Sequence, residues 1–276
     1  MVGREIAISA WPARLLMVGC GNMGGSMLAG WLAAGIPPER FTVIDPALKQ
    51  APEGVELLRE PPAAGNWDAI LLGIKPQQFN TAAPSLAALA RPDTVVLSIL
   101  AGVELASLAT RLPQAGAVVR IMPNLAAAIG KSPVALVGQG VNATQREVIT
   151  ALMAPLGSPE WLADEGLFDA VTALVGSGPA FVYRFIAALA EGGARLGLPR
   201  DQAGRLALAM VEGAAALAGA SPDEPGDLAR KVASPGGTTE AGLKVLDEGD
   251  ALGLLVAATL QAARDRGAEM AAAARG

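Results

Sequence analysis

The sequence contains no histidine, and its 276 residues include a single cysteine, Cys20. Without histidine the chain lacks the commonest general base and the commonest zinc ligand, which excludes Ser-His-Asp, Cys-His and His-metal chemistry. No metal site is expected. One cysteine cannot build a disulfide framework within the chain, as suits a reducing compartment, so a cytoplasmic location is expected. Aromatic residues make up 4% of the chain against 52% hydrophobic residues overall, so the core must come mainly from Ala, Leu and Val, a composition that favours helix. A net charge of −5, without long blocks of either sign, offers no footprint for nucleic acid or an anionic membrane. No uninterrupted apolar stretch reaches the roughly 18 residues of a membrane span. The first eleven residues lack the basic start and apolar run of a secretory signal. The expected partners are small molecules and other protein chains.

What the chain does contain begins at Arg14 to Gly19, a short apolar run of the kind that fills a buried parallel strand. It leads directly into Gly19-Cys20-Gly21-Asn22-Met23-Gly24, which fits G-x-G-x-x-G, and then into an Ala- and Leu-rich helical stretch ended by Gly35 and Pro37. Phe41 to Asp45 supplies a second strand with an acid at its C-terminal end, 21 positions beyond Gly24. Strand, turn, helix, strand and terminal acid in this order are the context that a dinucleotide fingerprint requires. Gly19 makes the tight turn, Gly21 admits the pyrophosphate and Gly24 lets helix and sheet approach. Cys20 reads as a small space-filling side chain. Asp45 is placed to accept ribose hydroxyls, and its charge opposes a 2′-phosphate and favours NADH; Lys49 and Arg14 could compensate, which leaves NADPH open.

Further apolar runs at Ala69 to Ile74, Thr94 to Ile99, Ala117 to Ile121 and Val134 to Val137 alternate with helical stretches. This predicts a mostly parallel, doubly wound α/β sheet of Rossmann type, with its ligand across the C-terminal strand ends. Beyond about Asp164 strand signals cease. The expected division is therefore a dinucleotide-binding domain over residues 1–163 and an all-α domain over residues 164–276. The last helical stretch, Ala251 to Ala274, is apolar around much of its circumference, and such helices are normally buried. Several of them in a small domain suggest cover by a second subunit, the alternative being a monomer with an Ala-rich bundle.

Ser234-Pro235-Gly236-Gly237-Thr238-Thr239 is too rich in Pro and Gly for helix or strand, and a helical pattern follows at once. Such a loop is either a plain turn with a helix cap or an anion seat, with close backbone approach at the glycines and helix N–H groups facing the charge. The missing histidine bears on the chemistry. A carbonyl being reduced forms an alkoxide and needs a strong proton donor, whereas an iminium already carries its proton. Weak acids beside an anion seat therefore suit a cyclic imine bearing a carboxylate. Among other candidates, Lys75 is either a cofactor contact or an ordinary exposed lysine at a strand end. Tyr183 reads as a packed residue with a satisfied hydroxyl, and Arg120 as a residue solvating the sheet edge.

Taken together, the glycine fingerprint, Gly73-Ile74-Lys75-Pro76, Arg120-Ile-Met-Pro-Asn124, Gly176-Ser-Gly-Pro-Ala-Phe181, Gly197-Leu-Pro199 and Ser234 to Thr239 with Ala241-Gly242-Leu243 resemble the pyrroline-5-carboxylate reductase family. The resemblance runs from about Leu15 to the C-terminus. It implies NADPH- or NADH-dependent reduction of 1-pyrroline-5-carboxylate to L-proline, the last step of proline biosynthesis, in a cytoplasmic enzyme. It also implies a homodimer through the C-terminal helices, or a higher homo-oligomer. By motif position, Gly19, Gly21, Asn22, Met23 and Gly24 with Gly73, Ile74, Lys75 and Pro76 would bind the cofactor. Ser234, Gly237 and Thr238 would hold the substrate carboxylate, and Thr239 would be the catalytic group at the imine nitrogen. The chain departs from the family pattern at Leu125, Ala126, Glu224, Lys231 and Glu240. Two other readings are a reductase of a related carboxylated imine or hydroxy acid, and a non-enzymatic dinucleotide-binding regulatory protein.

Overall fold

Alternation along single strands explains how the sheet is built. In the computed structural model, which describes residues 12–275, Leu15 and Met17 of β1 (Leu15–Val18) enter one core and Leu16 and Val18 enter another. A strand buried on both faces needs apolar residues at every position, which is what the Leu-Leu-Met-Val run supplies. The remaining strands are β2 (Phe41–Ile44), β3 (Glu56–Leu58), β4 (Ala69–Leu72), β5 (Val95–Ser98), β6 (Ala117–Met122), β7 (Ser132–Gln139) and β8 (Gly157–Trp161). Their order in the sheet is β3-β2-β1-β4-β5-β6-β7-β8. All neighbours are parallel except β6 and β7, which pair antiparallel with Arg120 opposite Val137. The strand order reverses between β1 and β4, the topological switch point where such sheets take their ligands.

Helices α1 (Asn22–Ala33), α2 (Pro76–Ala87), α3 (Leu105–Arg111) and α4 (Ala143–Met153) cover the two faces. Met27, Leu28 and Trp31 of α1 share one core with Ile149, Leu152 and Met153 of α4, and Phe79 and Leu86 of α2 share the other with Leu108 of α3. Trp31 stacks on Phe41 at 5.5 Å and donates its indole N–H to Leu152 O at 2.7 Å, so the largest aromatic of this core is both packed and satisfied. The doubly wound α/β class expected from the sequence is the one observed. Strands β3 and β8 carry no apolar run, since β8 reads Gly-Ser-Pro-Glu-Trp. They are strands because an ordered neighbour offers them a hydrogen-bonding edge.

The chain forms two compact units. One ends at Gly176 and takes back the chain from Arg264 onward; the other is Ser177–Ala263. The first unit also contains the short helix α5 (Phe168–Val171) and the wide π-type turn Thr172–Gly176. The second is helical: α6 (Gly178–Arg195), α7 (Arg200–Ala220), α8 (Pro225–Val232), α9 (Thr238–Asp247) and the start of α10 (Ala251–Arg275). Small residues let α6 and α7 approach, with Gly193 facing Ala203. The burial expected for the last helix is not met within one chain: Leu254 is 62% and Leu255 66% exposed, and Leu217 of α7 is 63% exposed. Tyr183, expected to be packed, is 67% exposed. By length and composition alone, Glu165–Arg195 and Arg200–Ala220 are long and apolar enough to cross a membrane. The first of these is interrupted by the turn at 172–176.

Candidate active site

The glycine turn joins β1 to α1 at the switch point. Gly19 adopts φ +91°, a conformation that L side chains rarely take, and a Cβ there would lie 2.8 Å from the backbone of Gly73 and Ile74. A Cβ on Gly73 would in turn lie 2.8 Å from Gly19 O. The ends of β1 and β4 are thus in backbone contact, which brings the two predicted cofactor motifs together. A Cβ on Gly24 would come to 2.9 Å from Gly19 O, so only glycine lets α1 start this close to the turn. Gly21 is different: its Cα faces open space. It is the N-cap of α1, supplies no side chain to cap the helix, and is followed by a first turn without acidic residues. Uncapped N–H groups beside an open glycine fit a pyrophosphate. Asn22 is exposed at this opening, whereas Met23 is half-buried and packs on the core.

Asp45, at the end of β2, turns its carboxylate to the backbone. Oδ2 accepts from Cys20 N at 2.9 Å, and Oδ1 accepts from Ala47 N at 2.8 Å and Leu48 N at 3.1 Å. The guanidinium of Arg59, just after β3, lies on the carbonyls of the same loop. It donates to Asp45 O at 3.0 Å, Lys49 O at 3.3 Å and, through a short contact, Leu48 O. Burial pushes the Asp45 carboxyl up, but the three N–H donors and the Arg59 charge outweigh this and hold it below its ordinary value. The Cys20 thiol moves the other way: burial first, then the Asp45 charge, push it up. It is therefore an unreactive thiol filling space in the turn.

Lys75 and Pro76 open α2, with Pro76 in its first turn, and Gln78 Oε1 accepts from Lys75 N at 3.1 Å. The Lys75 side chain is exposed, and Ile74 is half-buried against the second core. Arg120 does not solvate a sheet edge. It is buried, its Nη1 is 2.7 Å from Glu165 Oε1, and its guanidinium lies 3.9 Å over the Phe168 ring. Asn124 is buried as well, accepting from Ala126 N at 3.0 Å and donating to Val175 O at 3.2 Å, so it holds chain rather than facing a ligand. Among the described residues no cluster of three or more His, Cys, Asp or Glu is placed to hold a metal ion.

In the helical unit, Gly236 turns the Ser234–Thr239 loop with φ +71°, and Gly237 N donates to Ser234 O at 2.9 Å. Gly237 is the N-cap of α9, and with no side chain it leaves the first-turn N–H groups around Thr238 and Thr239 uncapped. Thr239 and Gly237 are half-buried, and Ser234 and Thr238 exposed. Glu240 reaches back so that its Oε2 accepts from Gly236 N at 2.7 Å, which pins the turn but occupies one of its donors. Lys231 forms an ion pair with Asp223 rather than approaching this loop.

The chain is 38% identical over 267 residues to pyrroline-5-carboxylate reductase of Pseudomonas aeruginosa, a match that covers 94% of this chain and 97% of that protein. It belongs to the pyrroline-5-carboxylate reductase family. The enzyme of that name from Pisum sativum is 35% identical, covering 90% and 92% of the two chains. The solved pyrroline-5-carboxylate reductase of Coxiella burnetii superposes with a TM-score of 0.86 at 29% identity, covering 93% of this chain and 98% of that one. Residues 165–270 match the family model described as pyrroline-5-carboxylate reductase dimerisation, and residues 14–102 one described as NADP oxidoreductase coenzyme F420-dependent. For this member of the reductase family, reading the sequence missed Arg59, Glu165 and Gln78. Asp45-Pro46 is a local turn signal for the Asp45 loop contacts; nothing local marks Arg59 or Glu165.

Proposed function

We propose that the protein reduces 1-pyrroline-5-carboxylate to L-proline with NADPH or NADH. The observation that carries this reading is the uncapped N-terminus of α9 behind Gly236 and Gly237, an anion seat in a chain that also holds a dinucleotide turn at Gly19 to Gly24. When bound, the nicotinamide supplies a hydride to the imine carbon. Ser234, Gly237 and Thr238 hold the substrate carboxylate: Gly237 admits it close to the backbone, and the Thr238 N–H with the Ser234 and Thr238 hydroxyls donate to it, which fixes the ring in place. Thr239 hydrogen-bonds at the imine nitrogen and relays its proton. The protonated C=N accepts the electron pair on carbon and becomes a neutral secondary amine, so no strong acid is needed. Gly19, Gly21, Asn22, Met23 and Gly24 take the pyrophosphate at the start of α1, and Gly73, Ile74, Lys75 and Pro76 line the neighbouring strand end.

The working division is residues 1–163 for the cofactor and 164–276 for substrate and subunit association. The exposed apolar residues of α7 and α10 are covered by a second copy of the chain, a homodimer or higher homo-oligomer, which the match to a dimerisation model over residues 165–270 supports. We place the enzyme in the cytoplasm, where its single, half-buried thiol stays reduced.

The test is oxidation of NADH and NADPH by purified protein with three acceptors: 1-pyrroline-5-carboxylate, its six-membered homologue and a 2-keto acid. Turnover should be fastest on the five-membered imine. No turnover of either imine while the cofactor still binds would overturn the reading, and preference for the keto acid would replace it with a hydroxy-acid dehydrogenase.

A further inference from the structure

An acid at the end of β2 in this fold ordinarily accepts from the 2′-hydroxyl of the adenosine ribose. Here the acid is already engaged by the backbone. A carboxylate offers about four acceptor sites, two on each oxygen. Oδ1 of Asp45 already accepts from Ala47 N and Leu48 N, and Oδ2 from Cys20 N. One site of the four remains, so the carboxylate is spent mainly on the N–H groups of its own loop and of the glycine turn. The residue at the other end of the Oδ2 bond is also informative: Cys20 lies between Gly19 and Gly21, inside the turn that faces the pyrophosphate.

The charge around the acid points the same way. Among the described residues Arg59 donates to neutral carbonyls alone, at Asp45, Pro46, Leu48 and Lys49. Its side chain is exposed, as is that of Lys49. A cation held on the loop by carbonyls keeps its charge available, and of its five N–H donors two, at Nε and Nη2, have no partner among the described residues. At the end of β2 the negative charge of Asp45 is therefore offset by the Arg59 guanidinium on the same loop, and a ribose 2′-phosphate there would meet a cation.

We propose that Asp45 is a positioning residue that holds the pyrophosphate turn through Cys20 N–H, and that it does not select NADH over NADPH, the Arg59 side chain being the group that meets a 2′-phosphate. The inference rests on the dinucleotide reading of the Gly19 to Gly24 turn. It differs from the sequence-based expectation that the Asp45 charge disfavours NADPH.

The experiment measures dissociation constants of NADH and NADPH by fluorescence for the wild-type protein, Asp45→Asn and Arg59→Gln, with melting temperature as a control. Wild-type protein should bind NADPH at least as tightly as NADH. Asp45→Asn keeps an acceptor oxygen for Ala47 and Leu48 but turns an amide N–H₂ towards Cys20 N–H. It should weaken both cofactors alike, by about tenfold, the effect of one lost charge-assisted hydrogen bond. Arg59→Gln should weaken NADPH by about tenfold and leave NADH within about twofold. A shift of preference towards NADPH in Asp45→Asn, or tighter binding of NADH than of NADPH by the wild-type protein, would overturn the proposal. The wild-type ratio and Arg59→Gln decide the matter if Asp45→Asn does not fold. Failure of the wild-type protein to bind either cofactor would instead remove the dinucleotide reading, and this inference with it.

Discussion

Glu165→Ala should destabilise the protein by about 3 kcal/mol, because it strands a buried cation. Arg120 has only 6% of its side chain exposed, and its one charged partner among the described residues is Glu165, at 2.7 Å and 28% exposed. Removing one member of a buried pair costs about 3–5 kcal/mol, and the partial exposure of Glu165 places this case at the lower end. The same Glu165 oxygen accepts from Leu105 N at 2.8 Å, so the substitution also frees the first N–H of α3. Stacking on Phe168 keeps the guanidinium in place without neutralising it. At about 2–4 °C per kcal/mol for a chain of this size, the melting temperature should fall by about 6–12 °C at fixed protein concentration. Glu165→Gln keeps an acceptor and loses the charge, so its loss should be about half as large. Arg120→Met combined with Glu165→Gln removes the stranded cation, and the double variant should be more stable than Glu165→Ala. The assay is thermal and urea unfolding of the wild type, Glu165→Ala, Glu165→Gln, Arg120→Met and the double variant. A loss below about 1 kcal/mol in Glu165→Ala, or strict additivity in the double variant, would refute the reasoning.

Thr239→Val should lower turnover by about 10- to 100-fold with cofactor dissociation constants unchanged, and steady-state kinetics with an unaltered rate would remove Thr239 from the mechanism. Gly24→Ala places a Cβ 2.9 Å from Gly19 O; it should cost about 1–3 kcal/mol and weaken NADH and NADPH together, and normal cofactor binding would show that α1 can back away from the turn. Asp45, with its folded-state carboxyl held below its ordinary value, contributes stability that is complete above the unfolded pKa and is lost as pH falls through the folded one. Melting temperature should therefore decline below about pH 4 more steeply in wild-type protein than in Asp45→Asn, and parallel curves would contradict this.

The dinucleotide half was legible because its signals are local. Leu15 to Val18 is apolar at every position since both faces are covered, and Gly19, Gly21 and Gly24 stand where the structure shows positive φ, open space and a backbone 2.9 Å away. The Ser234–Thr239 loop was legible for the same reason, with glycine at the left-handed position and at the helix N-cap. The edge strands were not. Glu56–Leu58 and Gly157–Trp161 have no run or alternation to announce them, and each becomes a strand by pairing with one formed elsewhere.

By itself, then, the sequence determined the doubly wound order of elements, the glycine turn, and a chemistry without histidine that suits an imine already carrying its proton. These follow from residue type and spacing within a few positions of one another. Only the tertiary structure decided the roles of charged side chains whose partners are distant in sequence. Arg120 finds its counter-charge 45 residues away, and Asp45 finds Cys20 25 residues away. A carboxylate accepts whichever donors lie within about 3 Å, and the chain path sets which those are. The apolar faces of α7 and α10 belong to the same class: their pattern is written in the sequence, but their exposure in one chain is a property of how the helices pack.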